Sequence, residues 1–403
     1  MAADPCEHFD HYDPAVAADP HAPFREMRVR CPVTWSDRQG GFWAVTSREA
    51  VERIAKDQTT FSSRLTSVPP AMFGDAYAQW PPITLDPPEH GAFRKLLLPA
   101  FVPRVVNPGE APLRQFCQGR LRQFVADGRC DAANDYARWA PVFMLTRVLG
   151  APIEDLEKVT GWVRALMEQT VHDDPGTVLA AAGELMAYIG GMIAERAEAP
   201  RDDLVSVIMT TEVDGDRLSS EDVMNSVFLF FLAGTDTVWS VLGSVLRHLA
   251  ENPDDRRRMR TLDTEGMKVA VEEFIRFYAP ASLGRVVTED VEVDGKLMRA
   301  GDSVLVCYPA ANRDPEAFPD AESVVLDRAI NRHLTFGVGP HRCIGANLAR
   351  LTLRAAIEEW LAVIPEFELE DPGAIENSTG MIWGPRKLGI RVLPAVTGEP
   401  AQR

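Results

Sequence analysis

The chain has 403 residues, 46% of them hydrophobic, so it can bury a large core. Its net charge of −17 argues against nucleic acid and anionic membranes as general partners. Six cysteines, at positions 6, 31, 117, 130, 307 and 343, include no CxxC pair and no dense disulfide framework, a usage that points to a reducing, cytoplasmic compartment.

The first residues, Met1-Ala2-Ala3-Asp4-Pro5, are polar and acidic, with neither an apolar run nor the shape of a signal peptide, and no membrane anchor is expected from them. Val33-Thr34-Trp35-Ser36 and Phe42-Trp43-Ala44-Val45-Thr46 flank a Gly40-Gly41 turn and predict a hairpin. Ser47 then caps a short helix running to Ala55. Helical patterns follow around 90–102, 112–127, 135–149, 153–171, 178–197 and 203–211. Ahead of the first of these, Pro87 and Pro88 mark a helix start, and His90 and Arg94 lie four apart on one face.

Val227 to Leu246 carries Asp236 as its only charge and would pass for a membrane span by hydropathy. Its polar, acidic flanks and the Ser219 cap, with Asp222 three residues on, predict instead the buried middle of a helix ending near Asn252. At its centre stands Ala233-Gly234-Thr235-Asp236-Thr237. A glycine costs a helix about 1 kcal/mol against alanine, and an unpaired buried carboxylate costs more. A compensating use is expected. Gly234 lets a ligand approach the backbone, a threonine bonds back to a carbonyl and opens the helix, and Asp236 with Thr237 makes a route for protons.

A helix over 265–278 places Glu273 and Arg276 on one face, where they can pair. Between Val286 and Tyr308, alternation and the Asp294-Gly295 turn predict a hairpin. The irregular stretch Ala311 to Leu334 leads into Phe336-Gly337-Val338-Gly339-Pro340-His341-Arg342-Cys343-Ile344-Gly345. Its glycines permit a tight, flat turn, and Cys343 emerges from it as a helix over 346–362 begins. A helix N-terminus favours thiolate over thiol, and a thiolate is a soft, donating metal ligand. Cys343 as nucleophile with His341 as base is the alternative without a metal; two residues apart on a tight turn, they align poorly.

The spacing Phe-x-x-Gly-x-x-x-Cys-x-Gly resembles the haem-binding loop of the cytochrome P-450 family, the haem-thiolate monooxygenases, and the resemblance spans roughly residues 20–395. It is nearest to soluble bacterial members such as the camphor hydroxylase. The resemblance implies a mainly α fold with small β-sheets, one triangular domain over residues 1–403, with haem b between the long central helix and the helix after the cysteine loop. It implies Cys343 as axial ligand to the haem iron, in a loop shaped by Phe336, Gly337 and Gly345, with Ala233 and Gly234 facing the haem. His90, Arg94, Arg285 and His341 match the family's partners of the haem propionates. Asp236 and Thr237 match its proton-delivering pair, and Glu273, Arg276 and Arg328 its brace for the cysteine loop.

The reaction implied is insertion of one oxygen atom from O2 into an organic substrate, by hydroxylation or O-dealkylation, the other atom becoming water. The positions that line the family's pocket carry Met72, Phe73, Tyr77, Trp80, Leu229, Leu232, Ala233, Ala281, Ser282, Leu283, Ile382 and Trp383 here. That set is apolar and aromatic and suits a small hydrophobic substrate, such as a terpenoid or a substituted aromatic; an additional cation would be sought first at Arg386. Electrons are expected from a separate ferredoxin and ferredoxin reductase, received near Arg104, Arg332, Arg342, Arg350 and Arg354. A cytoplasmic monomer is expected. The rival within the resemblance, a haem-thiolate protein that binds a ligand or gas without turnover, has no need of the Asp236–Thr237 pair.

Overall fold

A computed structural model of the chain describes residues 4–69, 79–167, 175–210, 212–213 and 216–394. The apolar run at mid-chain becomes the helix Ser220–Glu251, and the Ser219 hydroxyl accepts the Asp222 amide at 3.0 Å to cap it. Being apolar on all sides, this helix can be satisfied only in the interior. It packs on the helices Trp139–Leu149, Pro175–Glu198 and Ala346–Val363. Among the described residues, two helices, 176–198 and 220–251, are long and apolar enough to cross a membrane. In the second, 83% of the most apolar window is covered by protein, which makes it a core helix here. One continuous apolar cluster runs from Phe93 to Ile390 around it.

The predicted hairpin forms with Val33 opposite Val45. Its strand Phe42–Val45 runs parallel to Ser303–Val306, which pairs antiparallel with Leu283–Val287, and Phe61–Ser62 closes the edge of this five-stranded sheet. The stretch expected as one hairpin is therefore two nested pairs. Inside the Leu283–Val287 and Ser303–Val306 pair sit Val291–Val293 and Lys296–Met298, turned by Asp294 and Gly295 at φ 48° and 71°. Both values are left-handed, as a two-residue hairpin turn of matching twist demands. A second sheet joins Phe367–Leu369, Gly389–Val392 and Arg129–Asp131.

Some expectations are corrected. The helix expected over 135–149 divides, because the Asp131 carboxylate accepts the amides of Ala133 and Asn134 and opens a wider first turn before Trp139–Leu149. The helix expected to reach 102 ends at Leu97, and Pro99 sits in the tighter turn that follows. Cys6 and Cys31 form a disulfide with their Cα atoms 5.8 Å apart, a pairing that the sequence reading did not anticipate. The pair was hidden because 25 residues separate its members. Cys117, Cys130 and Cys307 are free and buried.

Candidate active site

Glu273 and Arg276, on the helix Thr264–Phe277, are fully buried and bonded at 2.7 and 2.8 Å. Arg328 reaches the same carboxylate at 2.9 Å from a loop 55 residues away. Arg276 also donates to the carbonyls of Asn312, Ala321 and Ser323, and the Val325 amide and Asn331 side chain donate to Glu273. One buried ion cluster thus gathers the irregular stretch ahead of the cysteine loop. Beside it, His333 and Arg350 clasp Glu272 at 2.8 and 2.7 Å. Burial raises the Glu272 carboxyl, but those two partners win and hold it down to about 2.

The loop itself folds back on hydrogen bonds from the Gly337 amide to Leu334 and from the Cys343 amide to Phe336, at 2.8 and 2.7 Å. Gly337 and Gly339 have φ of 68° and 77°. A side chain at Gly339 would also stand 3.0 Å from the Ala55 carbonyl, so the turn lies flat on the end of the helix Arg48–Lys56. Cys343 is exposed, three residues before the helix Ala346–Val363. Protein packed around its sulfur nonetheless pushes the thiol up, against the Gly345 amide and the guanidinium groups of Arg94, Arg342 and Arg350. The helix-terminus effect expected from the sequence is therefore outweighed in the polypeptide alone; a metal cation displaces the proton.

Around this loop, basic groups converge, with Asp86 the carboxylate nearest His90. The His90 and His341 rings stack with centroids 3.8 Å apart, and His341 Nε2 lies 3.0 Å from Ser63 Oγ. Arg94 donates to the Arg342 carbonyl, and Arg285, 4% exposed, donates to the Gly284 carbonyl. Among the described residues neither arginine has a carboxylate partner. The crowding shows in the imidazoles. Burial and then Arg94 lower His90 to about 4, while burial, His90, Arg285 and Arg94 lower His341 to about 2. Such a cluster is relieved by an anion with two negative groups.

On the central helix, Ala233 is exposed and Gly234 and Thr237 are half-buried, although most of the helix is buried. Thr237 Oγ1 donates to the Ala233 carbonyl at 3.0 Å and Thr235 Oγ1 to Phe231 at 2.8 Å, yet the helix is unbroken. A Cβ at Gly234 would stand 2.8 Å from Leu145 Cδ1. Its smallness therefore serves packing against the helix Trp139–Leu149. Asp236 turns elsewhere. It is buried and accepts from Arg386 Nη2 at 2.5 Å, while Arg386 Nη1 donates to Ser240 Oγ at 3.0 Å. The guanidinium lies 4.4 Å from the Trp239 ring centroid. Arg386 was missed as the partner of Asp236, because 150 residues separate them and no local spacing signals the pair.

Of the pocket candidates, Phe73, with Met72 and Tyr77, lies outside the described residues. Trp80 packs near Phe228, and Leu229 and Leu232 are buried in the central helix. Ala281 and Ile382 meet in an antiparallel bridge, flanked by bonds from the Ser282 amide to Met381 and from the Trp383 amide to Pro280. The Trp383 indole, however, donates to the Ala17 carbonyl at 2.6 Å and packs on His21. With Ser282 it lines a small cavity beneath the N-terminal segment.

A thiol alone would suit many metals, and paired arginines many anions. A planar porphyrin with two propionates and an iron centre calls for both in one place, so the residues fit haem, and the class defined is a haem-thiolate protein. The chain belongs to the cytochrome P450 family, whose model matches residues 178–261 and 265–388. It is accordingly a haem-binding monooxygenase, an oxidoreductase. It is 33% identical to a probable cytochrome P450 127A1 of Sinorhizobium fredii, over 92% of this chain and 89% of that protein. It superposes on the solved structure of CYP101C1 with a TM-score of 0.87 at 28% identity, covering 98% of this chain and 99% of that one. Cytochrome CYP268A2 of Mycobacterium marinum, solved in complex with pseudoionone, matches with a TM-score of 0.86 at 29% identity, over 93% and 95% of the two chains.

Proposed function

We propose that this enzyme inserts one oxygen atom from O2 into a small, neutral, hydrophobic molecule of terpenoid or substituted-aromatic size, using electrons from a separate ferredoxin and its reductase. The observation that carries the substrate class is the opening at Ala233 and Thr237 in an otherwise buried helix that also bears Leu229 and Leu232. Ala281 and Ile382, held together from two distant segments, add an apolar wall. The pseudoionone bound to the M. marinum relative is of the same chemical class.

Haem, when bound, supplies the oxygen activation, with electron density from the thiolate. The chain's own residues do the rest. Cys343 ligates iron, and Arg94, Arg285, His90 and His341 hold the propionates. The buried Glu273 cluster keeps the cysteine loop rigid. Thr237 Oγ1 holds a proton at the opening, where its rotor can leave the Ala233 carbonyl for a ligand. Asp236, paired to Arg386, is a proton acceptor behind it. The apolar wall excludes water, which would otherwise compete for those protons. We place the enzyme in the cytoplasm as a monomer.

The test is a spectral titration followed by turnover. Neutral compounds of terpenoid or monocyclic aromatic size should convert the iron to high spin, with affinity rising by roughly 0.8 kcal/mol per buried CH2. With a ferredoxin system they should give oxygenated product only in the presence of O2. Tighter binding of the carboxylate analogues would defeat the substrate class. Binding without product would favour the ligand- or gas-binding reading.

A further inference from the structure

We infer that the N-terminal segment closed by the Cys6–Cys31 disulfide is the outer support of the pocket wall formed by Ala281 and Ile382, and that reducing this bond loosens the wall. The inference rests on the proposed reading of Ala281 and Ile382 as pocket residues.

The support is built from few contacts. The Ala17 carbonyl accepts the Trp383 indole at 2.6 Å and the Asn377 side-chain amide at 3.1 Å. The His11 carbonyl accepts the Gly380 amide at 2.7 Å. Gly380 has φ 87°, and a Cβ there would stand 2.7 Å from Tyr12, so the turn is seated directly on that ring. All of these groups lie between Cys6 and Cys31 on one side and between Asn377 and Trp383 on the other. The second stretch carries Ile382, whose bridge to Ala281 is the wall.

The interface is under-satisfied. His11 and His21 are buried against it with neither ring nitrogen of either one hydrogen-bonded, apart from a loose approach of His11 to the Val68 backbone. Between the two surfaces lies a cavity of about 20 Å³. Histidines buried this way cost free energy that the contacts must offset. A covalent tie that limits the segment's freedom therefore matters more here than in a well-packed corner. Both cysteines are half-buried, so a thiol can reach the bond.

The step is ordinary exchange. The thiolate of a dithiol reductant attacks one sulfur, the Cys6–Cys31 bond breaks, and a mixed disulfide forms. The reductant's second thiol resolves it, leaving two cysteine thiols and the reductant's own disulfide. Two electrons and two protons pass to the protein. The segment then keeps its hydrogen bonds and ring contacts to 377–383 but loses the covalent tie that holds its own two ends together.

The experiment compares the haem-loaded wild-type chain with the Cys6→Ser/Cys31→Ser double variant, which avoids reductant at the iron. Amide exchange across 376–384 is read by mass spectrometry. Affinity is read by spectral titration with imidazole, which needs only the iron, and with 4-phenylimidazole, whose ring also needs the wall. The variant should exchange faster at 376–384 and bind 4-phenylimidazole several-fold more weakly, with imidazole unchanged. Dithiothreitol should bring the wild type to the same exchange rate and leave the variant as it was. Equal exchange in both proteins, or unlinked Cys6 and Cys31 in the native chain, overturns the inference. Faster exchange with unchanged 4-phenylimidazole binding overturns the link to the wall and, separately, the placing of Ile382 in the pocket.

Discussion

Asp236 is tied to Arg386 while Thr237, the next residue, bonds within its own helix, and this separation shapes what each substitution should do. Thr237→Ala removes a hydroxyl at the opening and no cross-element contact. It should keep haem and fold while diverting electrons to hydrogen peroxide or water, seen as less product per NAD(P)H; unchanged coupling would remove Thr237 from the proton route. Arg386→Gln acts differently. It withdraws the cation from a buried carboxylate, which typically costs about 3–5 kcal/mol. It should lower the urea midpoint as well as coupling, whereas a purely catalytic role would leave the midpoint alone. Cys343→Ala should abolish the red-shifted Soret band of the reduced, carbon monoxide-bound protein. Retention of that band would make another cysteine the ligand, and Cys117, Cys130 and Cys307 are all buried.

At the scale of elements, Gly234 decides how closely two helices approach. Gly234→Ala gains up to about 1 kcal/mol of helix propensity. It also forces its Cβ onto Leu145, which is 2% exposed and has little room to yield. Overpacking of this kind costs about 1–3 kcal/mol, so a net loss is expected in chemical denaturation. Pairing the change with Leu145→Ala should cancel the clash and show a favourable coupling in a double-mutant cycle. If Gly234 instead made room for a ligand, the single variant would lose affinity at unchanged stability. The Glu273 cluster is the other element-scale device. It ties one helix to a loop that has almost no regular structure of its own, and a neutral Glu273 would leave Arg276 and Arg328 buried around an unmet charge.

For the whole molecule, acid stability should fall in two windows. His11 is kept neutral by burial and lowered from 6.5 to about 4. A depressed histidine contributes stability above its unfolded value, and that contribution is lost as pH falls from 6.5 towards 4. Glu272, held down from 4.5 to about 2, contributes stability above 4.5 that is lost as pH falls towards 2. Urea midpoints should fall less steeply in the upper window for His11→Phe and in the lower one for Glu272→Gln, while the other depressed histidines, His90 and His341 among them, keep part of the upper slope. A wild-type profile level through both windows would contradict both assignments.

Much of this was legible in the chain because the signals are local. The Ser219 cap, the apolar central helix, the Asp294-Gly295 turn and the glycines around Cys343 each act over a few residues, where backbone geometry and hydrogen bonding leave little choice. The same holds for Glu273 and Arg276, one helical turn apart. Tertiary structure alone decided which distant groups became partners: Arg386 with Asp236, Leu145 against Gly234, Cys6 with Cys31, and the Trp383 indole with the Ala17 carbonyl. The physical reason is that a side chain's type limits what it can bond but not where the fold will carry it. Contacts across tens or hundreds of residues leave no period in the sequence, and burial, which sets the direction of His11, His90 and Cys343, exists only once the chain has closed around them.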